Sequence, residues 1–185
     1  PRPGSASGMG GATWRRILPS RSVPPAVVGG ESGVVHYPRP VTTDGTIETI
    51  VVGVADTPTA RAAAAEAAGL ARVHRARLHL VVAVKNPRTQ SLRAGGETLT
   101  VSDVDLADQL LQEIRLSAGL DEVTSGVVDD EPAKALLAEA ERIDADLIVV
   151  GNKRMQGISR VLGAVAKDVA THAPCAVYIA HTSGS

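Results

Sequence analysis

Residues Gly151 to Val165 read Gly-Asn-Lys-Arg-Met-Gln-Gly-Ile-Ser-Arg-Val-Leu-Gly-Ala-Val, and the residue types in this run suit one kind of chemistry. Glycine lets backbone N–H groups approach an anion closely, a helix opening near Gly163 offers its positive end, and Lys153, Arg154 and Arg160 add charge. Together these would hold a phosphate. The same glycines also have an architectural reading, in which Gly151 ends a strand, Gly157 makes a turn and Gly163 allows close packing. Isolated glycine spacings match often, so spacing alone leaves both readings open. Asp56 is the second candidate. It follows a short apolar run, and it is either a helix-start residue or a contact to a ribose hydroxyl or a metal-bound phosphate.

Other chemistries lack their residues. The chain has no Walker-type Gly-x4-Gly-Lys-Ser/Thr and no Gly-x-Ser-x-Gly elbow, and neither Ser159 nor Thr57 stands in a Ser-His-Asp order. The five histidines, His36, His74, His79, His172 and His181, show no paired metal spacing. Cys175, in His-Ala-Pro-Cys, has only His172 nearby as a base and reads as a small buried packing residue. His172 near a helix C-terminus and the acidic run Asp129-Asp130-Glu131 near a helix N-terminus are both explained by the helix dipole.

The elements that must carry these residues follow from periodicity. Ile47–Val54 is a β-branched run ending in a polar turn, and Thr57-Pro58 is an N-cap followed by proline at the first helical position. Arg61–Arg72 is an Ala-rich helix and Leu78–Val84 a second apolar strand. Lys85 to Thr100 reads as a long polar connection, of the kind that is often functional or mobile. Ser102 with Asp105 opens a helix in the manner of a capping box, with Val104, Ala107, Leu111 and Ile114 as its stripe. Val123–Val128 is a strand. Asp130-Glu131-Pro132 opens a helix with Leu136, Leu137 and Ala140 inward. Leu147–Val150 is the next strand, Ala164 to His172 a helix stopped by Pro174, and Ala176–Ala180 the last strand. Apolar strands alternating with helices predict a single α/β domain: a doubly wound five-stranded parallel sheet with helices on both faces. Ligands of such sheets bind beyond the carboxyl ends of the strands, here after Val54, after Val84 (Lys85, Asn86) and after Val150.

Composition sets the outer limits. The 185 residues are 44% hydrophobic, 21% charged and only 2% aromatic, with no Phe, so the core must be Ala, Val, Leu and Ile. The formal net charge of −1 and the shortage of aromatic platforms argue against nucleic acid as a partner. No apolar run reaches the roughly 18–20 residues of a membrane span, so no membrane partner is expected. The single cysteine fits a reducing compartment, and a cytoplasmic location is the expectation. Residues 1–46 carry seven prolines and eight glycines with no helical or strand period. They read as a disordered tail or an over-extended gene start, with Met9 one candidate initiator. The folded domain is expected over 47–182, with 183–185 as a short tail.

The stretches TIVVGVADTPTARAAAAEAAGLA and DADLIVVGNKRMQGISRVLGAVAKDVATHAPCAVYIAHT resemble the universal stress protein family, over essentially all of residues 47–182. The resemblance implies an adenine-nucleotide alpha-hydrolase-like fold. It also implies a stress-response role, ATP as a ligand with Mg2+ entering only with the nucleotide, and a homodimer formed through strand 176–180. The implied binding residues are Ala55, Asp56, Val84 against adenine, Gly151, Lys153, Arg154, Gly157, Gly163, Ala164 and Val165. ATP-binding members carry glycine, two residues, glycine, nine residues, glycine, then Ser or Thr. Here Arg154 stands at the second glycine, the loop is one residue shorter, and Ala164 replaces the hydroxyl. Ala55 takes the place of an acidic residue, with Asp56 beside it. The lost hydroxyl removes a phosphate hydrogen bond of about 1.5–3 kcal/mol. Two alternatives therefore stand beside a nucleotide switch: a dimeric scaffold that does not bind nucleotide, and a nucleotidyl hydrolase or transferase. Binding without turnover, or at most weak ATP hydrolysis, is the expectation.

Overall fold

Short runs of Val, Ile and Leu, each closed by a small or polar residue, become the strands of one sheet. The computed structural model of the chain describes residues 46–94, 97–153 and 162–182. In chain order they form β1 (Thr49–Gly53), α1 (Pro58–His74), β2 (Arg77–Ala83), β3 (Thr89–Ala94), β4 (Glu97–Ser102), α2 (Asp103–Ala118), β5 (Val123–Val128), α3 (Pro132–Arg142), β6 (Leu147–Lys153), α4 (Ala164–His172) and β7 (Ala176–Thr182). Five strands make a parallel sheet in the order β5-β2-β1-β6-β7. From β1 the chain winds outward through β2 to β5, returns to β6 and ends at β7. The direction of winding therefore switches between β1 and β6, which leaves a crevice at their carboxyl ends.

Alternate residues of each strand feed two cores. Ile50, Val52, Leu78, Leu80 and Val149 pack under α1 and α2, and Val51, Val81, Ile148 and Val150 under α3 and α4. With no large aromatics to fill space, the helices come close through small residues: Ala63, Ala64, Ala67 and Ala71 of α1 are all buried. The approach is tightest at Gly151. A Cβ there would stand 2.8 Å from the Thr59 carbonyl oxygen and 2.9 Å from its methyl. Asp146 ties the amino edge, its Oδ2 accepting from the Glu48 and Thr49 amides at 2.9 and 3.0 Å.

Local signals set the helix starts. Thr57 caps α1, its hydroxyl accepting from the Ala60 amide at 3.2 Å ahead of Pro58. Ser102 and Asp105 form a full capping box on α2, with bonds of 3.0 and 3.2 Å.

One expectation is corrected. Lys85 to Thr100 is no unstructured connection: β3 and β4 form an antiparallel ribbon, in register from Thr89↔Ser102 to Ala94↔Glu97. Its base is closed by a reciprocal pair, the Arg88 amide to Asp103 Oδ2 and the Asp103 amide to the Arg88 carbonyl, both 2.9 Å. The Gly-Gly between two runs of alternating polarity is a hairpin signal, and it outranks the polar composition that suggested a loop. The expected tails, residues 1–46 and 183–185, lie outside the described residues except for Thr46. Among the described residues no helix is long and apolar enough to cross a membrane.

Candidate nucleotide site at the carboxyl edge

Parallel pairing carries the ends of β1, β2 and β6 to one edge of the sheet, so the residues expected to act together come from three adjacent strands. Ala55 and Asp56 leave β1 exposed. The turn is held tight by the Thr57 amide donating to the Ala55 carbonyl at 2.8 Å. Val84, at the end of β2, is half-buried against the α1–α2 core, and its amide donates to the Val128 carbonyl at 2.8 Å. Gly151 and Lys153 lie within β6, and Gly163, Ala164 and Val165 are exposed at the start of α4. Arg154 and Gly157 lie outside the described residues.

The two readings of the glycines separate at this point. Gly151 is needed by the fold, because the α1 backbone occupies the space of its Cβ; it does not end the strand, which runs on to Lys153. Gly163 is not needed in this way. Its φ is −60°, open to any residue, and among the described residues a Cβ there would meet only Asn152 Oδ1 at an ordinary 3.6 Å. Gly163 is the N-cap of α4. Among the described residues no side chain caps the first turn of α4, and Gly163 has no side chain of its own. This arrangement suits an anion.

Asp56 is already engaged. Its Oδ1 accepts from Arg61 Nε and Nη2 at 3.1 and 2.9 Å. The same guanidinium donates to both carboxylate oxygens of Glu113 on α2, at 2.7 and 3.1 Å. Arg61 holds Glu113 below the usual carboxylate range through that bond and its charge, and the two carboxylates hold the guanidinium's own pKa above its ordinary value. The β2 exit loop is fastened in the same manner. Lys85 Nζ pairs with Glu131 Oε1 at 2.7 Å, and Asn86, at φ 52°, donates its amide to Asp129 Oδ1 at 2.9 Å. Asp129 and Glu131 therefore act as cross-loop partners, and no acidic residue lies in the first turn of α3. Glu131 is the N-cap of α3, so the acidic run does stand at that helix's start as well as holding the loop.

Three residues of the site region carry no sequence motif. Arg61 and Glu113 are a cation in an Ala-rich helix and a carboxylate 52 positions away, a pairing that only the packing of α1 on α2 creates. Asn152 had a signal that could have found it, a polar residue continuing an otherwise apolar strand. It is 8% exposed, and its Oδ1 accepts the Gly163 amide at 3.0 Å.

Two cavities among the described residues lie away from this edge. One of about 410 Å³ is lined by Ala170–Ala173 and Cys175–Val177, at the amino end of β7 beside the negative end of α4, where an anion is disfavoured. The other, about 280 Å³, lies between α1 and α2 and includes Arg61 and Arg72. Both arginines are spent on internal bonds, Arg72 on the Ala118 carbonyl at 2.8 Å. Cys175 is buried, as expected. Among the described residues, no group of three or more His, Cys, Asp or Glu side chains could hold a metal ion.

A five-stranded parallel sheet in the order β5-β2-β1-β6-β7 with helices on both faces places the chain in the doubly wound α/β class. The chain belongs to the universal stress protein family, which it matches over residues 46–181. A universal stress protein from Archaeoglobus fulgidus is 25% identical with a TM-score of 0.54, the match covering 71% of this chain and 97% of that one. A universal stress protein from the same organism, solved in complex with dAMP, is 25% identical with a TM-score of 0.50, covering 72% and 98%. A universal stress protein in complex with cAMP, 24% identical with a TM-score of 0.56 and covering 75% and 99%, shares the fold. No curated protein sequence matches the chain.

Proposed function

We propose that the chain binds an adenine nucleotide, ATP among its ligands, and works as a ligand-switched stress-response protein without turning the nucleotide over. The observation that carries this reading is the start of α4. There Gly163, whose Cβ position is open among the described residues, stands at the crevice between β1 and β6, at the start of a helix that none of their side chains caps. The relative solved with dAMP, at 25% identity, supports an adenine ligand for this chain. Val84 would lie against the base, and Mg2+ would come only with the phosphates. In this reading occupancy alters the surface beside the site. The protein acts in the cytoplasm as a homodimer through β7, whose outer edge is open in the sheet order.

Dialysed protein titrated calorimetrically with ATP, AMP and adenosine tests the binding. Heat at micromolar protein that grows with phosphate number is expected; silence at millimolar nucleotide would overturn the reading. Sedimentation across a concentration series tests the dimer, and a monomer throughout would remove it.

The nucleotide-free dimeric scaffold is favoured by two particulars, the absent hydroxyl at Ala164 and the engagement of Asp56 by Arg61. Silence in the titration combined with a dimer in sedimentation would select it.

A further inference from the structure

The sheet ends on two strands, β7 and β5, and the outer side of β5 is its second open edge. The Leu78 amide donates to the Glu122 carbonyl and the Val84 amide to the Val128 carbonyl. With the register between them, these bonds turn the even-numbered residues of β5 toward β2. The N–H and C=O groups of Val123, Ser125 and Val127 therefore point outward, where no strand among the described residues pairs with them. Val123 is only 5% exposed, so the accessible stretch begins at Thr124. Thr124 and Ser125 are exposed, and Gly126, Val127 and Val128 are half-buried.

Sheet edges are commonly blunted by charge, proline or a bulge. β5 has none of these. It reads Val-Thr-Ser-Gly-Val-Val, and its ladder with β2 runs unbroken from Val123 to Val128. It is also pinned from within, Thr124 Oγ1 lying 2.7 Å from His79 Nδ1. A strand already held in place leaves only the incoming chain to be ordered.

The charge lies at the two ends instead. Asp121 and Glu122 precede the strand and are exposed, and Asp129, Asp130 and Glu131 follow it. The nearby cations do not cancel this. Arg77 donates to Thr49 Oγ1 on β1, the far side of β2 from β5, and Lys85 and Lys134 both act on Glu131. A second copy of the chain fits this edge badly. Antiparallel pairing of two β5 strands about a two-fold axis at Ser125 sets Asp121 of each opposite Asp129 of the other, and like charges so placed destabilise a ladder. A strand with cations at both ends meets the opposite condition.

We infer that the outer edge of β5 is a docking site for an extended peptide with an uncharged, β-branched centre and basic residues at both ends, which adds to the sheet as a sixth strand. Glu122 and Asp129 are seven positions apart, about 23 Å at the rise of a strand, so the partner's cations stand roughly six or seven residues apart. The site uses no residue of the nucleotide edge and does not depend on it.

The probe is the labelled peptide Lys-Arg-Thr-Val-Thr-Val-Thr-Arg-Lys, titrated into the full chain by fluorescence anisotropy, with hydrogen exchange read at the Ser125 and Val127 amides. Saturable binding that weakens as salt rises is expected, together with protection of those two amides. The same peptide N-methylated at its central residues, or carrying Glu in place of its four cations, should bind about tenfold more weakly or worse. Ser125→Pro removes an outward N–H that the fold does not use and should weaken binding about tenfold. Asp121→Lys combined with Glu122→Lys should weaken the basic peptide and strengthen the Glu-ended one. Silence at millimolar peptide, equal affinity for the N-methylated form, or binding that leaves Ser125 and Val127 unprotected would overturn the inference. Protection of those amides that grows with protein concentration, with no peptide present, would assign the edge to a second copy and overturn it as well. The N-methylated peptide decides the matter even if Ser125→Pro fails to fold.

Discussion

At the scale of single residues, Gly151 and Gly163 look alike in the sequence and differ in what surrounds them. A methyl on Gly151 must displace the backbone of α1, since the Thr59 carbonyl stands 2.8 Å from the Cβ position. Gly151→Ala is therefore expected to cost about 1–3 kcal/mol in urea denaturation, the usual range for overpacking. Among the described residues a methyl on Gly163 meets nothing closer than 3.6 Å. Gly163→Ala should leave the urea midpoint nearly unchanged and weaken ATP binding, the reverse of the Gly151 result. Equal effects on stability at the two sites would show that Gly163 also serves packing. Ala164 offers a gain-of-function counterpart. It is exposed beside the cap, so Ala164→Ser costs the fold little and supplies one hydroxyl donor to a charged phosphate. A tightening of ATP binding of about tenfold is expected by calorimetry, from a charge-assisted bond of roughly 1.5–3 kcal/mol. No tightening would place the phosphates elsewhere. The sequence named both glycines and Ala164, because glycine spacing is legible along a chain. It could not say which glycine the fold consumes, because that depends on how closely α1 crosses β6. Arg61 stayed hidden for the same reason: its hold on Glu113, 52 positions away, exists only once α2 packs beside α1.

At the scale of elements, the strands and helices of the sheet were legible because each is strongly periodic and bounded by chemistry of its own: Thr57-Pro58 before α1, Ser102 and Asp105 before α2, Pro174 after α4. The β3–β4 ribbon was not, because its strands are polar and lack the apolar run that marked the others. Thr89, Gln90, Ser91 and Arg93 are all exposed, so no continuous apolar run announces the ribbon, and its signal is the Gly-Gly between its alternating arms. The ribbon's energetic independence follows from the same polarity. An isolated two-stranded hairpin is marginal in water, and this one is closed at its base by the reciprocal Arg88–Asp103 pair. Replacing residues 90–101 with a short Gly-Ser linker, leaving Arg88, Ser102 and Asp103 in place, should preserve cooperative unfolding. The change in stability should be below about 1 kcal/mol, as for other surface changes away from core and caps. A collapse of cooperativity on excision would show that the ribbon props the sheet. By contrast, Ser102→Ala removes the α2 capping box and should cost about 1 kcal/mol with the ribbon intact.

At the scale of the whole molecule, the sheet is held between two apolar cores, and its buried polar contacts decide how stability responds to pH. His79 stands in the middle of β2, 5% exposed. Its Nδ1 is 2.7 Å from Thr124 Oγ1 on β5, and its Nε2 is 3.0 Å from Glu139 Oε2 on α3, which also binds Arg142. With Glu139 accepting from Nε2–H and the Thr124 hydroxyl donating to Nδ1, the neutral imidazole satisfies both partners. Burial holds the His79 pKa below its ordinary 6.5, outweighing the attraction of Glu139, and Arg142 pushes in the same direction. Glu139 in turn is held below its ordinary 4.5, first by its bond to Arg142. The signs follow from which state takes up the proton. Below pH 6.5 the unfolded chain protonates His79 while the folded chain resists it, so stability is full above that value and falls as the pH drops through it. Glu139 adds a second loss further into acid, below 4.5, where the unfolded carboxylate takes up a proton that the folded one refuses. Urea midpoints measured from about pH 8 to pH 5 should be level at first and then decline. His79→Gln, which has nothing to titrate there, should be less stable at neutral pH and flatter across the same interval. A parent curve with no decline before the carboxylate range, or a variant curve parallel to it, would mean that the tie between β5, β2 and α3 does not depend on a neutral imidazole.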